Sequence, residues 1–218
     1  MRNFLAVIPA FNEEATIKDV VTQCTEYCDV LVVDDGSTDG TVDAASHFRA
    51  TIISNDTNKG YEYSLNVAYL YALENNYDGI ITMDADGQLP MKTIPEFINA
   101  IEGGVSLVIG NRRIKPRVCE KLFACFSVKL SSLKDPYCGM KAYCLKSLKR
   151  TTFSSYNSVG TSLALDYFEH NLLCHNIDIE IQERKGESKF GGRLLSELKL
   201  FPSMIIGNFR LLKNWMKL

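Results

Sequence analysis

The sequence predicts an α/β fold, a mostly parallel sheet with helices on both faces, followed by an amphipathic helical segment. Two patterns support this prediction. In the first half, short apolar runs alternate with segments of helical periodicity, which is typical of a parallel sheet covered by helices. From residue 193 onward the pattern is helical, with apolar and basic faces. We therefore expect one α/β domain over residues 1–192 and a helical appendage over residues 193–218.

The predicted elements follow one another in a regular order. The last segment, 193–218, is expected to break near Pro202 and Gly207, since proline removes a helical hydrogen bond and glycine weakens a helix. A further helix is expected after the turn at 35–40. Strands are predicted at 4–10, 29–34, 51–54, 79–83, 105–109 and 177–182, and helices at 13–27, 61–75, 94–102 and 118–133.

Composition limits the possible functions. The chain has 218 residues, 46% of them apolar, and a formal net charge of −2, so we expect one sizeable core and no general attraction to nucleic acid. The seven cysteines form no CxxC pair or zinc-finger spacing, which argues against a zinc site and predicts buried thiols. The apolar run at 4–10 is too short for a signal segment, so a reducing, cytoplasmic location is expected. No apolar run reaches the roughly 18 residues of a spanning helix, so the protein is expected to be soluble or peripheral.

Positive charge is concentrated between residues 110 and 150. This stretch has eleven basic residues against two acidic ones, Glu120 and Asp135. Such a segment suits an anionic partner, although a solvated surface is an equally good explanation. The basic residues are Arg112, Arg113, Lys115, Arg117, Lys121, Lys129, Lys134, Lys141, Lys146, Lys149 and Arg150.

Acidic residues follow the predicted strand at 79–83. The sequence there is Asp84-Ala85-Asp86-Gly87-Gln88. Open α/β sheets bind their ligands at the carboxyl ends of the strands, and two carboxylates can hold one hard divalent cation together with diphosphate oxygens. The triplet alone is weak evidence, because acidic turns after strands are common.

Two more strand ends carry polar turns on the same edge. The first strand ends in Pro9-Ala10-Phe11-Asn12-Glu13, and the second in Asp34-Asp35-Gly36-Ser37-Thr38-Asp39. Helix capping by at least one of Asn12, Ser37, Thr38 and Asp39 is expected. Capping does not require the paired Asp34 and Asp35, which could instead accept hydrogen bonds from a nucleobase or ribose.

Together these segments resemble the family 2 glycosyltransferases of GT-A fold, which is Rossmann-like. Within that family they are similar to the polyprenyl-phosphate sugar synthases typified by dolichyl-phosphate mannose synthase. The resemblance covers about residues 3–192, and the motifs occur in the family's order. So many matches in the right order are difficult to explain by chance. It includes the three strand ends above and also Asn58-Lys59-Gly60, Gly110-Asn111-Arg112, residues 135–143 (DPYCGMKAY) and residues 184–189 (RKGESK).

The resemblance implies a role for each matched residue. Pro9, Ala10, Glu13, Asp34 and Asp35 would contact the nucleoside of a UDP- or GDP-sugar. Asp84, Ala85, Asp86 and Gln88 would line the diphosphate, with Asp84, Asp86 and Gln88 around Mg²⁺ or Mn²⁺. Arg112 would meet an acceptor phosphate, and Arg184 and Lys189 would lie in a loop that closes over the substrates. An inverting transfer is implied by the resemblance alone.

Three alternatives remain open. If the acceptor is a saccharide hydroxyl, a carboxylate base is needed, and Asp135, Asp166 and Glu169 are the candidates; a solvated acidic face is the simpler explanation for the last two. A lipid phosphate is already anionic and needs no base. A noncatalytic nucleotide-binding module is the third alternative, although neither G-x-G-x-x-G nor a P-loop is present.

The C-terminal segment offers a membrane-binding surface. Trp215 and several apolar residues lie beside Arg193, Lys199, Arg210, Lys213 and Lys217, a composition that suits a helix lying in the plane of a membrane. Peripheral attachment to the inner face of a membrane is therefore expected. Packing against the domain, or self-association into a homo-oligomer, is equally compatible with the pattern.

Overall fold

A computed structural model describes residues 3–46, 49–115, 117–131, 133–147, 160–182 and 193–216. Its centre is one seven-stranded mixed sheet with the order β3-β2-β1-β4-β6-β5-β7. All pairings are parallel except those of β6, which runs antiparallel to β4 and to β5. The strands are Phe4–Ala10 (β1), Asp29–Asp34 (β2), Ala50–Ser54 (β3), Gly79–Thr82 (β4), Leu107–Arg112 (β5), Lys141–Cys144 (β6) and Cys174–Ile179 (β7).

The first four strands form the parallel core that the apolar runs predict. All seven residues of β1 are buried, and because neighbouring residues of a strand face opposite sides, both faces of the sheet are covered here. Ala10 pairs with Asp34 of β2, and Asp34 pairs with Ser54 of β3. The carboxyl ends of these strands therefore lie together on one edge.

Helices connect the strands, close to the predicted bounds. The first is shorter than expected, because the segment after β1 turns at residues 11–16 before the helix begins. The helices are Ile17–Cys24 (α1), Thr41–Ser46 (α2), Tyr61–Glu74 (α3), Ile94–Glu102 (α4), Val118–Ser131 (α5), Ser162–Glu169 (α6) and Arg193–Trp215 (α7), with a 3₁₀ turn at Met91–Thr93.

The sheet beyond β4 differs from the prediction. The strand Lys141–Cys144 was not expected, and it lies between β4 and β5, so the sheet is mixed at this point. The strand predicted at 177–182 is Cys174–Ile179, paired in parallel with β5. A short, partly buried strand has too few alternating apolar residues to define where it begins and ends. The bounds of β7 are determined by its hydrogen bonds to β5.

The three last helices form a second apolar core. Side chains from α5, α6 and α7 pack together there, and the ring of Tyr137 stacks edge-to-face on Phe123 at 5.1 Å. The break expected near Pro202 and Gly207 is wrong, because α7 runs through both residues. At Gly207 a Cβ atom would lie 2.4 Å from the Phe123 ring, so glycine allows close packing of the two helices. The buried members are Cys119, Phe123, Leu165, Leu200, Met204 and Leu211.

Part of this helical layer is exposed and apolar. Phe201, Ile205 and Phe209 project from α7 with exposed fractions between 50% and 66%, and Val118, Leu122 and Phe126 project from α5. Among the described residues, no helix combines the length and apolarity that a membrane crossing requires.

Candidate active site at the carboxyl edge of the sheet

The loops after β1 and β2 are tied to each other by hydrogen bonds. The Asn12 amide donates to Ser37 Oγ at 2.9 Å, and the Thr38 amide donates to Asn12 Oδ1 at 2.8 Å. Asn12 adopts a left-handed φ of 54°, which asparagine tolerates better than most residues. The two predicted loops therefore form one unit beside the strand ends.

The expected capping role falls to Asp39. Its Oδ1 accepts a hydrogen bond from the amide of Thr41, the first residue of α2. Asn12 and Ser37 bond across the two loops instead. Pro9 and Ala10 end β1, where the Ala10 carbonyl accepts the Asp35 amide at 2.8 Å. The Glu13 amide donates to Thr41 Oγ1 at 2.8 Å. Pro9 and Ala10 therefore lie beside the end of β2, and Glu13 lies beside the start of α2.

Asp34 and Asp35 are both buried but have different surroundings. Asp35 accepts hydrogen bonds from the Asn55 side chain at 2.8 Å and from the amides of Lys59 and Gly60 at 2.9 and 2.7 Å. Asp34 accepts only longer bonds, from the Ser37 amide at 3.3 Å to each oxygen, among the hydrogen bonds resolved there. Asp35 thus anchors the loop before α3, and Asp34 has more capacity left for a ligand.

Asp84 follows β4 and is held tightly. Tyr61, the first residue of α3, donates its hydroxyl to Asp84 Oδ1 at 3.2 Å. On the other side, a Cβ atom at Gly139 would lie 2.2 Å from both carboxylate oxygens, so only glycine leaves room there. Burial and then the charge of Asp86 raise the pKa of Asp84 to about 6, while Lys141, Arg112 and the Tyr61 hydrogen bond oppose that shift.

Asp86 and Gln88 form the turn that follows. The Gln88 amide donates to Asp86 Oδ1 at 3.1 Å. The side-chain nitrogen of Gln88 donates to the Gln182 carbonyl at 3.3 Å, and the Gln182 amide returns a bond to the Gln88 carbonyl. Gln88 therefore joins this turn to the segment that follows β7. Its Nε2 is used in this contact, so Oε1 is the side-chain atom that could bind a cation.

The donor set suits a magnesium or manganese ion that shares its coordination with a ligand. No group of three or more His, Cys, Asp or Glu side chains able to hold a metal occurs in the part of the chain that the structure describes. Asp84 and Asp86 supply two carboxylates, and Mg²⁺ sites in proteins typically combine one or two carboxylates with water and substrate phosphates. The space that Gly139 leaves for the Asp84 carboxylate is consistent with such a site.

Arg112 lies at the end of β5 in a different environment from the one expected. Its Nε and Nη2 donate to the two oxygens of Asp135 at 2.7 and 2.9 Å, and Nη2 lies 3.5 Å from Glu120. Burial alone would lower the pKa of Arg112, but its bond with Asp135 raises it above the ordinary value. The guanidinium is thus permanently charged and already paired in a bidentate manner.

The candidate bases are also paired. Asp135 is buried beneath Arg112. Asp166 and Glu169, which the sequence favoured as a solvated acidic face, instead bind Arg210 of α7 at 2.6 and 2.7 Å. This pairing corrects the expectation for Arg210 too, because its charge faces α6 and does not contribute to a free basic face. Arg184 and Lys189 lie outside the described residues.

Three residues of the site were not identified from the sequence. Tyr61 lies at a helix start whose apolar pattern gave no sign of a contact with Asp84. Gly139 was part of a matched motif, but only the packing shows what it accommodates. Lys141 was counted in the basic segment, yet it is buried in β6 with Nζ bonded to the Cys138 carbonyl at 2.5 Å. Burial lowers the pKa of Lys141, and the charges of Cys138, Asp84 and Asp135 oppose the shift.

The sheet order and the acidic turns on its carboxyl edge fit the GT-A fold that the sequence predicts. Residues 5–122 match the model of the family "Glycosyl transferase family 2", and the chain belongs to that family.

Characterised relatives extend over most of the chain. The polyprenol monophosphomannose synthase of Mycolicibacterium smegmatis is 25% identical over 88% of this chain and 83% of its own length. The undecaprenyl-phosphate mannosyltransferase of Micrococcus luteus is 26% identical over 88% of this chain and 89% of its own length.

Solved structures show the same fold. The glucosyl-3-phosphoglycerate synthase of Mycobacterium tuberculosis, crystallised with Mn²⁺, UDP and phosphoglyceric acid, superposes with a TM-score of 0.74. The match covers 98% of this chain and 78% of that one at 20% identity.

Proposed function

We propose that this glycosyltransferase moves a sugar, with inversion, from a nucleotide-diphosphosugar to a polyprenyl phosphate, and that Mg²⁺ or Mn²⁺ assists at Asp84 and Asp86. The observation that carries the proposal is the pair of carboxylates after β4, beside the joined loops of β1 and β2. The names of the mycobacterial and Micrococcus relatives, and the Mn²⁺ and UDP bound by the structural neighbour, support it.

The donor would lie along the carboxyl edge of the first four strands. Asp34 and the β1 loop would hold the nucleoside, since Asp34 is buried and accepts only long hydrogen bonds at 3.3 Å among those resolved. Asp84, Asp86 and the Oε1 of Gln88 would hold the cation, which neutralises charge on the leaving diphosphate when bound. Asp35 contributes indirectly, by fixing the loop that starts α3.

The pairing of the candidate bases favours a phosphate acceptor. A saccharide hydroxyl requires a base, but Asp135 is bonded to Arg112 and Asp166 to Arg210. Each of these carboxylates is therefore directed at an arginine within the fold and not at an acceptor hydroxyl. A lipid phosphate attacks as an anion and avoids this requirement.

Arg112 would not clamp the acceptor phosphate directly, because its fork is occupied by Asp135, whose carboxylate balances its charge. Arg113 is exposed beside it, and Lys115 contacts the Arg112 carbonyl at 3.1 Å. These residues, with Arg184 and Lys189, would supply the positive charge around the phosphate.

A lipid acceptor also gives the exposed apolar residues of α5 and α7 a function. We propose that this surface lies in the headgroup region of a membrane on its cytoplasmic side, where apolar side chains enter the lipid and lysines meet anionic headgroups. Lys121, Lys129 and Lys213 are exposed on the same two helices. Homo-oligomers formed through α7 are the competing use of this surface.

The donor proposal is tested by Asp86→Asn, with the exposed Asp43→Asn as the matched control. Transfer from the best UDP- or GDP-sugar should fall by roughly 10²-fold or more in the first variant, since an electrostatic contact to the leaving group is lost, and should be unchanged in the second. Wild-type turnover by Asp86→Asn in EDTA would contradict the metal site.

The acceptor proposal is tested by comparing undecaprenyl or dolichyl phosphate with a neutral oligosaccharide. The wild type should glycosylate the lipid phosphate, and Arg184→Ala and Lys189→Ala should each weaken acceptor binding by about 1.5–3 kcal/mol while donor binding is unchanged. Preferential transfer to the neutral sugar would contradict the proposal and make Asp135 and Asp166 the next residues to substitute.

Liposome flotation tests the membrane surface. The double variant Ile205→Ser and Phe209→Ser should reduce binding to vesicles containing anionic lipid, whereas Leu70→Ser, at an exposed apolar position on α3, should not. Equal flotation of all three proteins would favour self-association, which sedimentation would then detect.

A further inference from the structure

The carboxylate of Asp84 is connected to the nucleoside side of the site through α3. Asp35 accepts the amides of Lys59 and Gly60 at 2.9 and 2.7 Å. Gly60 has φ of 93°, a conformation that favours glycine, and the next residue, Tyr61, begins the helix. The position of the Tyr61 ring is therefore set by the loop that Asp35 anchors.

The Tyr61 ring is fixed from its other side as well. A Cβ atom at Gly160 would lie 2.8 Å from the ring, so Gly160 packs closely against it. The Gly160 amide donates to the buried Glu62 carboxylate at 2.6 Å. Two independent contacts thus determine where the hydroxyl of Tyr61 can lie.

We propose that Tyr61 is a positioning residue for Asp84. Its hydroxyl holds Oδ1, fixes the plane of the carboxylate against Gly139, and leaves Oδ2 available to the cation and diphosphate of the donor. The proposal rests on the donor site proposed above. It adds a residue that touches neither the sugar nor the diphosphate but determines the affinity for the cation.

The chemistry of the two groups supports this role. The Tyr61 hydroxyl is a neutral donor, so it orients the Asp84 carboxylate without cancelling its charge. Hydrogen bonds from surrounding groups orient carboxylate ligands, and their removal typically reduces metal affinity by roughly 10-fold to 100-fold.

The test is Tyr61→Phe, which removes one oxygen, with Tyr63→Phe as the control. Tyr63 lies two residues further along α3, and its hydroxyl accepts a bond from Lys59 at 3.5 Å. The apparent dissociation constant of Mn²⁺ is measured by thermal shift with saturating UDP or GDP, and nucleotide affinity is measured separately in EDTA.

We expect Mn²⁺ affinity to fall roughly 10-fold to 100-fold in Tyr61→Phe, with nucleotide affinity in EDTA within twofold of the wild type and with Tyr63→Phe unchanged. Equal loss of both affinities would assign Tyr61 a purely structural role and overturn the proposal, as would an unchanged Mn²⁺ affinity. If neither nucleotide nor Mn²⁺ stabilises the wild type, the donor site itself is wrong.

A second measurement does not depend on the folding of a variant. With 3-fluorotyrosine incorporated at position 61 alone, the ¹⁹F resonance should shift as Mg²⁺ saturates the nucleotide complex, because the hydroxyl and the cation share one carboxylate. A resonance that does not move through saturation would overturn the proposal.

Discussion

The two halves of the sheet edge, the ends of β2 and β4 and the end of β5, hold buried or partly buried carboxylates by different means. At the ends of β2 and β4, Asp35 is held by two backbone amides and the Asn55 side chain, and Asp84 by a tyrosine hydroxyl. At the end of β5, Asp135 and Glu120 are held by Arg112, and Glu120 also by Arg117.

Because of this difference, we expect one half of the edge to serve ligand binding and the other to serve the stability of the fold. Neutral donors orient a carboxylate without cancelling its charge, so the first half keeps the negative charge that a cation needs. Ion pairs cancel charge, and a buried pair broken on one side leaves an unpaired ion. Substitutions at the end of β5 should therefore mainly reduce the stability of the protein, whereas substitutions at the ends of β2 and β4 should mainly reduce ligand binding.

The largest expected effect is that of Arg112→Ala on stability. Removing the guanidinium leaves Asp135 buried without its bidentate partner, whereas Glu120 keeps its ion pair with Arg117. The free energy of unfolding should therefore fall by about 3–5 kcal/mol. Arg113→Ala, an exposed neighbour, should stay within about 0.5 kcal/mol of the wild type. Urea unfolding measures both. If the Arg112 variant is as stable as the Arg113 variant and only its acceptor affinity falls, Arg112 is a free clamp after all.

The next effect has the opposite sign and depends on pH. The folded pKa of Asp84 is about 6, raised from an ordinary value of 3.8. A raised pKa favours the protonated carboxyl, so this contribution to stability is complete below pH 3.8 and is lost as pH rises through 6. At pH 7.5, Asp84→Asn should therefore make the metal-free protein more stable, by at most about 3 kcal/mol.

Urea unfolding in EDTA at pH 7.5 and pH 4 checks the sign. The advantage of Asp84→Asn should nearly vanish at pH 4, where the wild-type carboxyl is protonated. A variant that is less stable than the wild type at pH 7.5 would show that Asp84 contributes to the fold itself. Mn²⁺ should stabilise the wild type and have little effect on the variant.

Two glycines, Gly139 beside Asp84 and Gly207 in α7, sharpen the comparison between ligand binding and stability. A Cβ atom would lie 2.2 Å from the Asp84 oxygens at Gly139 and 2.4 Å from the Phe123 ring at Gly207. Gly207→Ala should cost about 1–2 kcal/mol of stability, because overpacking outweighs the gain in helix propensity, and should leave nucleotide binding intact. Gly139→Ala should reduce Mn²⁺-dependent nucleotide binding. Thermal shift with and without Mn²⁺ and nucleotide separates the two, and loss of binding in Gly207→Ala would contradict the separation.

Much of the sheet from β1 to β4 was predictable from the sequence, because local patterns determine these strands and the turns that follow them. The strands at 4–10, 29–34 and 79–83 are apolar runs ended by acidic turns, and the structure puts those turns on one edge. Parallel pairing through right-handed connections leaves few other arrangements. The family follows from motifs in this half, since residues 5–122 match the family model.

The structure after β4 was less predictable, because contacts between residues that are far apart in the sequence determine it. Lys141–Cys144 is a strand only because it fits between β4 and β5. Pro202 and Gly207 would end an isolated helix, but packing on α5 keeps α7 continuous. Arg112 is bonded to Asp135, 23 residues away, and Asp166 to Arg210, 44 residues away, and residue type alone does not identify such partners.

The smallest expected effect concerns the bond between the two donor loops. Ser37→Ala removes the oxygen that accepts the Asn12 amide at 2.9 Å. This amide is only partly buried, so water can replace the hydroxyl, and the cost should be about 0.5–1.5 kcal/mol. Ser46→Ala is the control, because Ser46 is exposed and its hydroxyl, among the described residues, bonds to a carbonyl three residues earlier in α2. Urea unfolding and nucleotide titration in EDTA measure both variants. The Asn12–Ser37 bond differs from the Arg112 cluster in that both of its groups are neutral. Ser37→Ala should therefore weaken nucleotide binding by less than about tenfold, and should reduce stability far less than Arg112→Ala does. A loss of stability comparable with that of Arg112→Ala would show that the joined loops, and not the ion pairs at the end of β5, are the main determinant of stability at this edge of the sheet.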